Sequence, residues 1–278
     1  MPIPQRFVKM SGGGNDFLVF EADGRALSHA DRERVALLCR RGLSVGADGA
    51  LFLSGGDESR IHLDYFNSDG GLASFCANGT RCAARYAASR RMVAGPDVVL
   101  ETGWGVIPAR VSGDTVSLSL PPLTHPGDPV PISGRGLPST ATPMHVGVPH
   151  LVVLTGSDVG ALDVAALGPP IRRHPLMPDG ANVDFVQVLG PDRIAVRTFE
   201  RGVEGETLAC GSGTVASAVV ASRAGAVSPP VVCETRSGAA FTVEFGDTGA
   251  DGVICDAVLS GDAREIFTAE LTEEAWQP

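Results

Sequence analysis

Hydrophobic residues recur along this chain in short runs, which predict many short strands and a few helices. The elements predicted in the first half are strands at 16–20, 50–53, 61–66 and 98–101 and helices at 29–41 and 79–91. Those predicted in the second half are strands at 151–154, 184–189 and 193–199 and a helix at 214–224. Strands mixed with helices in both halves predict the α/β (α+β) class.

The helix predicted at 214–224 has almost no polar face, so we expect it to be buried within a sheet. Cys210 lies just before it, at its N-terminal end. Residues 121–143 contain seven prolines, and proline disfavours regular structure. This segment is therefore predicted to connect two halves.

The chain also resembles itself. Segments 66–88 and 199–222 each begin with phenylalanine, pass through a glycine-containing turn, reach a cysteine, and continue into an alanine-rich stretch. The two cysteines, Cys76 and Cys210, are 134 residues apart. Two further echoes pair Glu101-Thr102 with Glu234-Thr235, and Gly14-Asn15-Asp16-Phe17 with Ala181-Asn182-Val183-Asp184-Phe185. Three echoes in the same order predict two related α/β halves.

Charge and composition exclude several classes of protein. The formal net charge is −10 and there is no basic run, which argues against nucleic acid or an acidic membrane as partner. No apolar stretch approaches the roughly 18 residues that span a bilayer. The N-terminal segment lacks the apolar core of a signal peptide, so we expect a cytoplasmic protein.

Lysine is almost absent from the chain. Arginine supplies 21 of the 22 basic residues, and the exception is Lys9. A phosphate-binding P-loop needs Gly-Lys-Ser/Thr, which does not occur, and a pyridoxal enzyme needs a Schiff-base lysine. Because Lys9 lies in an alternating segment that predicts the opening of a strand, we expect it to be solvated. The sequence thus gives no support for either cofactor.

Cys76 and Cys210 both precede a predicted helix and are followed by small residues. A helix N-terminus presents unpaired N–H groups and a positive dipole end, which lowers a thiol pKa to about 3.5–7.5 and binds carboxylates. Paired across a cleft, one thiolate would remove the α-proton of an amino acid while the opposing thiol delivers another. The duplication therefore predicts a racemase or epimerase whose small-molecule substrate is an amino acid.

Other interpretations remain open for the cysteines and the glycines. Cys39, Cys82, Cys233 and Cys255 are expected to be buried hydrophobic residues. Zinc is disfavoured because the spacing from Cys76 to Cys82 is too long and no matching pair lies nearby. Gly211 and Gly213 open a helix, as in a dinucleotide-binding protein or dehydrogenase, but the rest of that fingerprint is missing.

With these residues in view, the sequence resembles the diaminopimelate epimerase family of cofactor-independent, two-cysteine racemases and epimerases. The motifs that carry the resemblance are Lys9-Met10, Gly14-Asn15-Asp16-Phe17, Phe66-Asn67-Ser68-Asp69-Gly70, Cys76-x-Asn78-Gly79-x-Arg81-Cys82, Gly147-x-Pro149-His150, Ala181-Asn182-Val183, Glu200-Arg201-Gly202 and Ala209-Cys210-Gly211-Ser212-Gly213.

The resemblance implies a fold and a division of the chain. It implies two pseudo-symmetric halves, each a curled sheet or barrel around a central helix, with the active site in the cleft between them. The expected halves are residues 1–120 with 264–278, carrying Cys76, and residues 121–263, carrying Cys210. The resemblance implies a possible homodimer. It implies neither a cofactor nor a metal.

The resemblance also implies roles for particular residues. The catalytic set is Cys76 and Cys210 as acid and base, assisted by His150 and Glu200. The substrate-binding set is Asn78, Gly79, Gly211 and Ser212 for the α-carboxylate and Asn15, Asn67, Asn182 and Arg201 for the distal end. Singly, some of these have simpler interpretations: Asn15 and Asn67 as turn caps, His150 as a satisfied core histidine, and Glu200–Arg201 as a solvated pair.

The chain departs from the family pattern near the expected distal end of the substrate. Val148 stands where an asparagine is common, Gly49 where a glutamine is common, and Ala77 where a glycine is common. Ala77 keeps its amide, so it hardly affects the chemistry. Val148 and Gly49 leave open a second possibility, that the substrate is another amino acid. The favoured prediction is interconversion of LL- and meso-diaminopimelate, which serves lysine and peptidoglycan synthesis.

Overall fold

The structure, a computed structural model, describes residues 3–55, 59–133, 137–246 and 252–277. The chain divides into two units, residues 1–118 with 261–278 (unit 1) and residues 119–260 (unit 2). In the described ranges, no helix combines the length and apolarity needed to cross a bilayer.

Unit 1 is a mixed sheet with two helices. Its elements are β1 (Arg6–Gly12), β2 (Asn15–Glu21), α1 (His29–Cys39), β3 (Gly49–Gly55), β4 (Arg60–Asn67), β5 (Leu72–Ala73), α2 (Ala77–Ser89), β6 (Asp97–Thr102), β7 (Gly105–Ser112) and β8 (Thr115–Ser119). Ser28 caps α1 through a reciprocal capping box with Asp31, which satisfies amides at the start of that helix. Helix α2 packs against β1, β2, β3, β4, β6 and β7.

Unit 2 likewise combines strands with two α-helices. They are β9 (Leu123–Thr124), β10 (Val130–Pro131), β11 (Thr140–Val146), β12 (Val148–Thr155), α3 (Val164–Arg172), β13 (Asn182–Gly190), β14 (Arg193–Glu200), β15 (Gly205–Thr207), α4 (Gly211–Arg223), β16 (Val231–Thr235), β17 (Ala240–Glu244), β18 (Val253–Ile254) and β19 (Val258–Asp262). Helix α4 packs against β11 to β14, β16 and β17. Val215, Ala218 and Val219 are fully buried, so the prediction of a buried helix is confirmed.

The two units repeat one pattern of strand pairing. In unit 1, β1 pairs antiparallel with β2, β2 parallel with β3, β3 antiparallel with β4, and β4 parallel with β6. In unit 2, β11 pairs antiparallel with β12, β12 parallel with β13, β13 antiparallel with β14, and β14 parallel with β16. The order and direction of strand pairing are therefore the same in both units. A sheet wrapped on a central helix in each of two equivalent halves confirms the predicted fold class.

The last strand returns to unit 1. After residue 263 the chain forms β20 (Arg264–Glu270), which pairs antiparallel with β1. Short 3-10 helices occur at Val159–Ala161 and Glu273–Trp276. Trp276 packs against the unit 1 core that includes Phe20 and Phe52.

The structure corrects one of the three sequence echoes. Asn15 lies on β2, whose equivalent by pairing is β12, whereas Asn182 lies on β13, whose equivalent is β3. The echo between these two segments is therefore a local likeness and not a structural equivalence. Helix α3, which contains Pro169 and Pro170, was not predicted, because adjacent prolines normally indicate a break.

Candidate active site

Cys76 is the N-cap residue of α2. Its φ of −144° and ψ of 109° are extended, and its Sγ accepts a hydrogen bond from the Gly79 amide at 3.5 Å. Its carbonyl accepts from the Thr80 amide and from Thr80 Oγ1. The sulfur therefore lies at the positive end of the helix, as the sequence predicted for this cysteine.

Two asparagines of the predicted substrate site form a directed chain of side-chain amides beside Cys76. The Arg81 guanidinium donates to Asn78 Oδ1 at 2.7 Å, and Asn78 Nδ2 donates to Asn15 Oδ1 at 2.7 Å. Asn15 Nδ2 then donates to Asp48 Oδ2 at 2.9 Å. A cation at one end and a carboxylate at the other fix the orientation of both amides. Thus Asn15, Cys76, Asn78 and Gly79 are brought together within unit 1.

The Asp48 end of this chain joins an ionic cluster. Asp16 contacts Lys9 Nζ at 2.7 Å and is also paired with Arg41, which reaches Asp48 as well. Burial opposes ionisation of Asp16, but hydrogen bonds from Arg41 and Lys9 outweigh it and lower the Asp16 pKa. Lys9 is buried, so the expectation that it is solvated is wrong: its ammonium is held by Asp16 and the Gly46 carbonyl.

Asn67 occupies the end of β4, where Gly49 is its partner on β3. Its side chain is exposed, and its backbone closes the turn to Gly71. The position of a Cβ on Gly49 would lie 2.5 Å from the Phe66 carbonyl oxygen and 2.7 Å from Tyr65 Cε2. The space in which a longer side chain would start is thus occupied by the neighbouring strand.

Cys210 is the N-cap residue of α4 and heads a line of polar groups. Cys210 Sγ lies 3.4 Å from Ser212 Oγ, which lies 3.1 Å from His150 Nε2. His150 Nδ1 lies 2.7 Å from Asp184 Oδ2, and Thr198 Oγ1 donates to Asp184 Oδ1 at 2.7 Å. His150 and Asp184 have no solvent-exposed side-chain surface. The predicted residues His150, Cys210 and Ser212 therefore belong to one connected cluster.

Glu200 belongs to the same cluster. Its Oε1 accepts a hydrogen bond from Thr207 Oγ1 at 2.6 Å, and its carboxyl group also interacts with Cys210. Burial raises the pKa of Glu200, and the negative charge of Asp184 adds to that effect. A carboxyl group with a raised pKa keeps its proton to a higher pH than an exposed glutamate does.

The predicted lowering of the Cys210 pKa is wrong for this structure. Burial raises the pKa of Cys210 well above its usual value, and the carboxylates of Glu200 and Asp184 raise it further. The hydrogen bond between Cys210 and Ser212 and the one from the Gly213 amide act in the opposite direction but are smaller causes. Desolvation and two nearby negative charges outweigh the helix end, so this sulfur is held as a thiol.

The remaining two predicted residues of unit 2 adjoin each other. Asn182 Oδ1 accepts a hydrogen bond from the Arg201 amide at 2.8 Å, and Asn182 is buried. The Arg201 guanidinium donates to the Asp179 carbonyl at 3.3 Å and is partly exposed. Within the described part of the chain, this carbonyl accepts from one of the guanidinium nitrogens of Arg201.

The other four cysteines differ in burial. Cys39, Cys82 and Cys233 are buried as predicted, whereas Cys255 is exposed, contrary to expectation. Burial raises the pKa of Cys39 and of Cys82 to about 12. Within the described part of the chain, no group of three His, Cys, Asp or Glu side chains could hold a metal ion.

Sequence analysis missed Asp184, Thr198, Thr207, Asp48 and Arg41 as parts of these clusters. Asp184 had a detectable signal, because it stands alone as a charged residue inside the hydrophobic run of β13. The threonines had none, since threonine is common in strands.

Solved structures define the class of fold first. A probable proline racemase from Agrobacterium radiobacter K84 matches with a TM-score of 0.76 at 14% identity, over 98% of this chain and 94% of that one. A hydroxyproline epimerase from Agrobacterium vitis matches with a TM-score of 0.72 at 17% identity, over 97% and 92%. The fold is thus that of proline racemase and its structural relatives.

Sequence comparison then gives the family. The family model for diaminopimelate epimerase matches residues 7–120 and 143–257. The diaminopimelate epimerase of Aquifex aeolicus is 38% identical over 96% of this chain and 98% of its own length. That of Archaeoglobus fulgidus is 37% identical over 95% of each. The chain belongs to the diaminopimelate epimerase family.

Proposed function

We propose that this protein interconverts LL- and meso-diaminopimelate, with Cys76 and Cys210 acting on opposite faces of one α-carbon. The observation that carries the proposal is the duplicated, cysteine-capped helix, present once in each unit of a chain that belongs to this family. Inversion at carbon needs matched groups on two faces, and the duplication supplies them. The functional halves are taken as residues 1–120 with 264–278, and residues 121–263.

The proposed reaction conserves protons. One sulfur, as the thiolate, takes the α-proton and becomes a thiol, while the opposite thiol gives its proton to the α-carbon and becomes the thiolate. The amides at the starts of α2 and α4, from Asn78, Gly79, Gly211 and Ser212, face the α-carboxylate and stabilise charge as it develops on that group. Each turnover thus exchanges the protonation states of the two sulfurs.

Arg201 is proposed to bind the distal carboxylate of the substrate, since its planar guanidinium matches that group. Asn15, Asn67 and Asn182 are proposed to orient the distal end. Asn15 and Asn182 support this by position, because their amides are already fixed by hydrogen bonds within their own units. No step needs a cofactor or a metal in this scheme.

One observation favours a second candidate, the racemisation of another amino acid by the same chemistry. At Gly49, Tyr65 and the Phe66 carbonyl occupy the space in which a longer side chain would begin. A longer side chain at position 49 would therefore require the neighbouring strand to move. A single-headed amino acid would make little use of Arg201, which is why diaminopimelate remains the favoured substrate.

Solvent-deuterium exchange tests the proposal directly. In D2O the wild-type protein is expected to place deuterium at the α-carbon of diaminopimelate, and a panel of single-headed amino acids should incorporate little. Cys76→Ala and Cys210→Ala are each expected to reduce exchange by about 10²–10⁴-fold or more, because each removes one acid–base group. Cys255→Ala is the matched control, since that thiol is exposed and outside both clusters.

Wild-type exchange in either active-site variant would contradict the two-cysteine mechanism, and faster exchange with a single-headed amino acid would favour the second candidate. Thermal unfolding of each variant shows whether the fold is retained. The homodimer and the cytoplasmic location are proposed from the family resemblance and from composition, and size-exclusion chromatography with light scattering tests the first of them.

A further inference from the structure

A carboxylate is buried beneath the start of α4, in the middle of a strand. Asp184 lies on β13 with its side chain fully buried, and its two oxygens contact His150 Nδ1 and Thr198 Oγ1 at 2.7 Å each. A Cβ on Gly213, in the first turn of α4, would lie 2.3 Å from Asp184 Oδ1. The helix start is therefore packed directly onto this carboxylate.

Unit 1 has apolar residues at the positions equivalent to His150 and Asp184. His150 pairs with Asn182, the first residue of β13, and Phe17 pairs with Gly49, the first residue of β3. Because β13 and β3 are equivalent strands, His150 is equivalent to Phe17. By the same registers, Asp184 is equivalent to Leu51 and Thr198 to Tyr65. Beneath α2, Gly79 packs on Leu51 and Phe17, just as Gly213 packs on Asp184 and Thr198.

The repeated fold is thus built once with an apolar pair and once with a buried carboxylate and imidazole. Burying charged or polar groups carries a desolvation penalty that a leucine and a phenylalanine do not. Since the apolar version supports the same helix on the same strands, the polar version is not required for packing. Its presence next to the cysteine-capped helix of unit 2 indicates a chemical role.

We propose that Asp184 is a positioning residue, which holds His150 with Nδ1 protonated and so directs Nε2, as an acceptor, towards Ser212 and Cys210. This inference rests on the proposed function, because it describes how the Cys210 side of that site handles its proton. Thr198 in turn fixes the carboxylate by donating to its second oxygen. Along the series Cys210, Ser212, His150 and Asp184, each group then donates to the next, from the sulfur to the carboxylate.

The direction of the donors defines a balanced proton transfer. The Cys210 S–H bond breaks and its proton passes to Ser212 Oγ, while the Ser212 hydroxyl proton passes to His150 Nε2. The products are the Cys210 thiolate and an imidazolium that is stabilised by Asp184, with the Ser212 hydroxyl restored. Reversal of both transfers regenerates the thiol. Such a path supplies a thiolate at a buried sulfur that would otherwise retain its proton.

Several ionisable groups face this pair and belong in any interpretation of a pH profile. Glu200 and Cys210 interact electrostatically with this pair near the start of α4. His145 interacts electrostatically with His150 and with Arg201. The test therefore needs a signal from His150 itself, in addition to a rate.

The test is nitrogen-15 NMR of histidine-labelled full-length protein, with His150 assigned by comparison with His150→Gln. In the wild type we expect the neutral Nδ1–H tautomer, with Nε2 unprotonated. In Asp184→Asn the side-chain amide can donate to Nδ1, so we expect the population to shift to the Nε2–H tautomer. The exchange rate with diaminopimelate should fall by about 10²-fold or more, with an altered pH profile.

Asp192→Asn is the matched control, because Asp192 is an exposed residue between β13 and β14, outside the cluster. It should leave both the His150 signal and the rate unchanged. An Nε2–H tautomer in the wild type would overturn the inference even if Asp184→Asn fails to fold. An unaltered tautomer and rate in folded Asp184→Asn would also overturn it. If the wild-type protein shows the expected His150 tautomer but does not exchange deuterium into diaminopimelate, the result would instead count against the proposed function.

Discussion

At the scale of single residues, the surroundings of the two sulfurs decide their chemistry more than their shared place at a helix start. Cys76 receives an amide hydrogen bond and lies near the buried Arg81. Cys210 lies near Glu200 and Asp184, and its pKa is raised. The sequence placed both cysteines at helix N-termini correctly, and the family resemblance implied Glu200, but neither indicated that Asp184 also lies near Cys210.

Glu200 gives a prediction that separates stability from activity. Burial raises its folded-state pKa, so the wild type loses stability as the pH rises through and above the unfolded value of about 4.3. Glu200→Gln removes that loss and keeps an oxygen for Thr207. We expect a higher free energy of unfolding than wild type at neutral pH, by about 1.4 kcal/mol for each unit of pKa difference, and lower activity.

Urea denaturation at several pH values measures this difference. The advantage of the variant should vanish below about pH 3, where Glu200 is protonated in both the folded and the unfolded chain. A variant that is less stable than the wild type at neutral pH would show that hydrogen bonds to the charged carboxylate outweigh its desolvation.

At the scale of elements, the starts of α2 and α4 are equivalent in backbone and different in what they rest on. The Gly79 position would place a Cβ 3.0 Å from the flexible end of Leu51, whereas the Gly213 position would place one 2.3 Å from Asp184 Oδ1. The leucine can shift by a few tenths of an ångström, but the carboxylate is held by two hydrogen bonds. Glycine is therefore more stringently required in α4.

Alanine substitutions test this difference. Gly213→Ala is expected to lower the free energy of unfolding by about 1–3 kcal/mol through overpacking, and to reduce activity by displacing Asp184. Gly79→Ala should cost less stability. Gly156→Ala is the control, since no atom lies within 4 Å of its Cβ position. Equal losses for Gly79→Ala and Gly213→Ala would contradict the interpretation.

At the scale of the whole molecule, the duplication was the feature most accessible from the sequence. Both cysteine-capped helices and the flanking strands β4 and β14 were predicted within a few residues, because buried runs and glycine turns mark them locally. Helix α3 was missed because Pro169-Pro170 contradict local preference and tertiary packing overrides them. The polar clusters were only partly predicted, because their residues come from separate strands, loops and helix starts that lie far apart along the chain.

The return of β20 to β1 gives a prediction for the chain as a whole. Removal of residues 264–278 deletes the strand that covers one edge of unit 1, together with Leu271 and Trp276, which pack on its core. We expect loss of cooperative unfolding in unit 1 and loss of activity, measured by thermal circular dichroism and deuterium exchange. Removal of residues 277–278 alone should leave both unchanged. A cooperative, active protein without β20 would contradict this view.

The different side chains near Cys76 and Cys210 also affect the rates expected for the two stereoisomers under the proposed mechanism. The groups near the two sulfurs differ, because Phe17 and Leu51 in unit 1 occupy the positions that His150 and Asp184 occupy in unit 2. Thermodynamics restricts only the ratio of the forward and reverse kcat/KM values, not the individual constants. The two copies of the repeated fold are therefore lined differently, and under the proposed two-cysteine mechanism each direction of the reaction can have its own rate-limiting proton transfer.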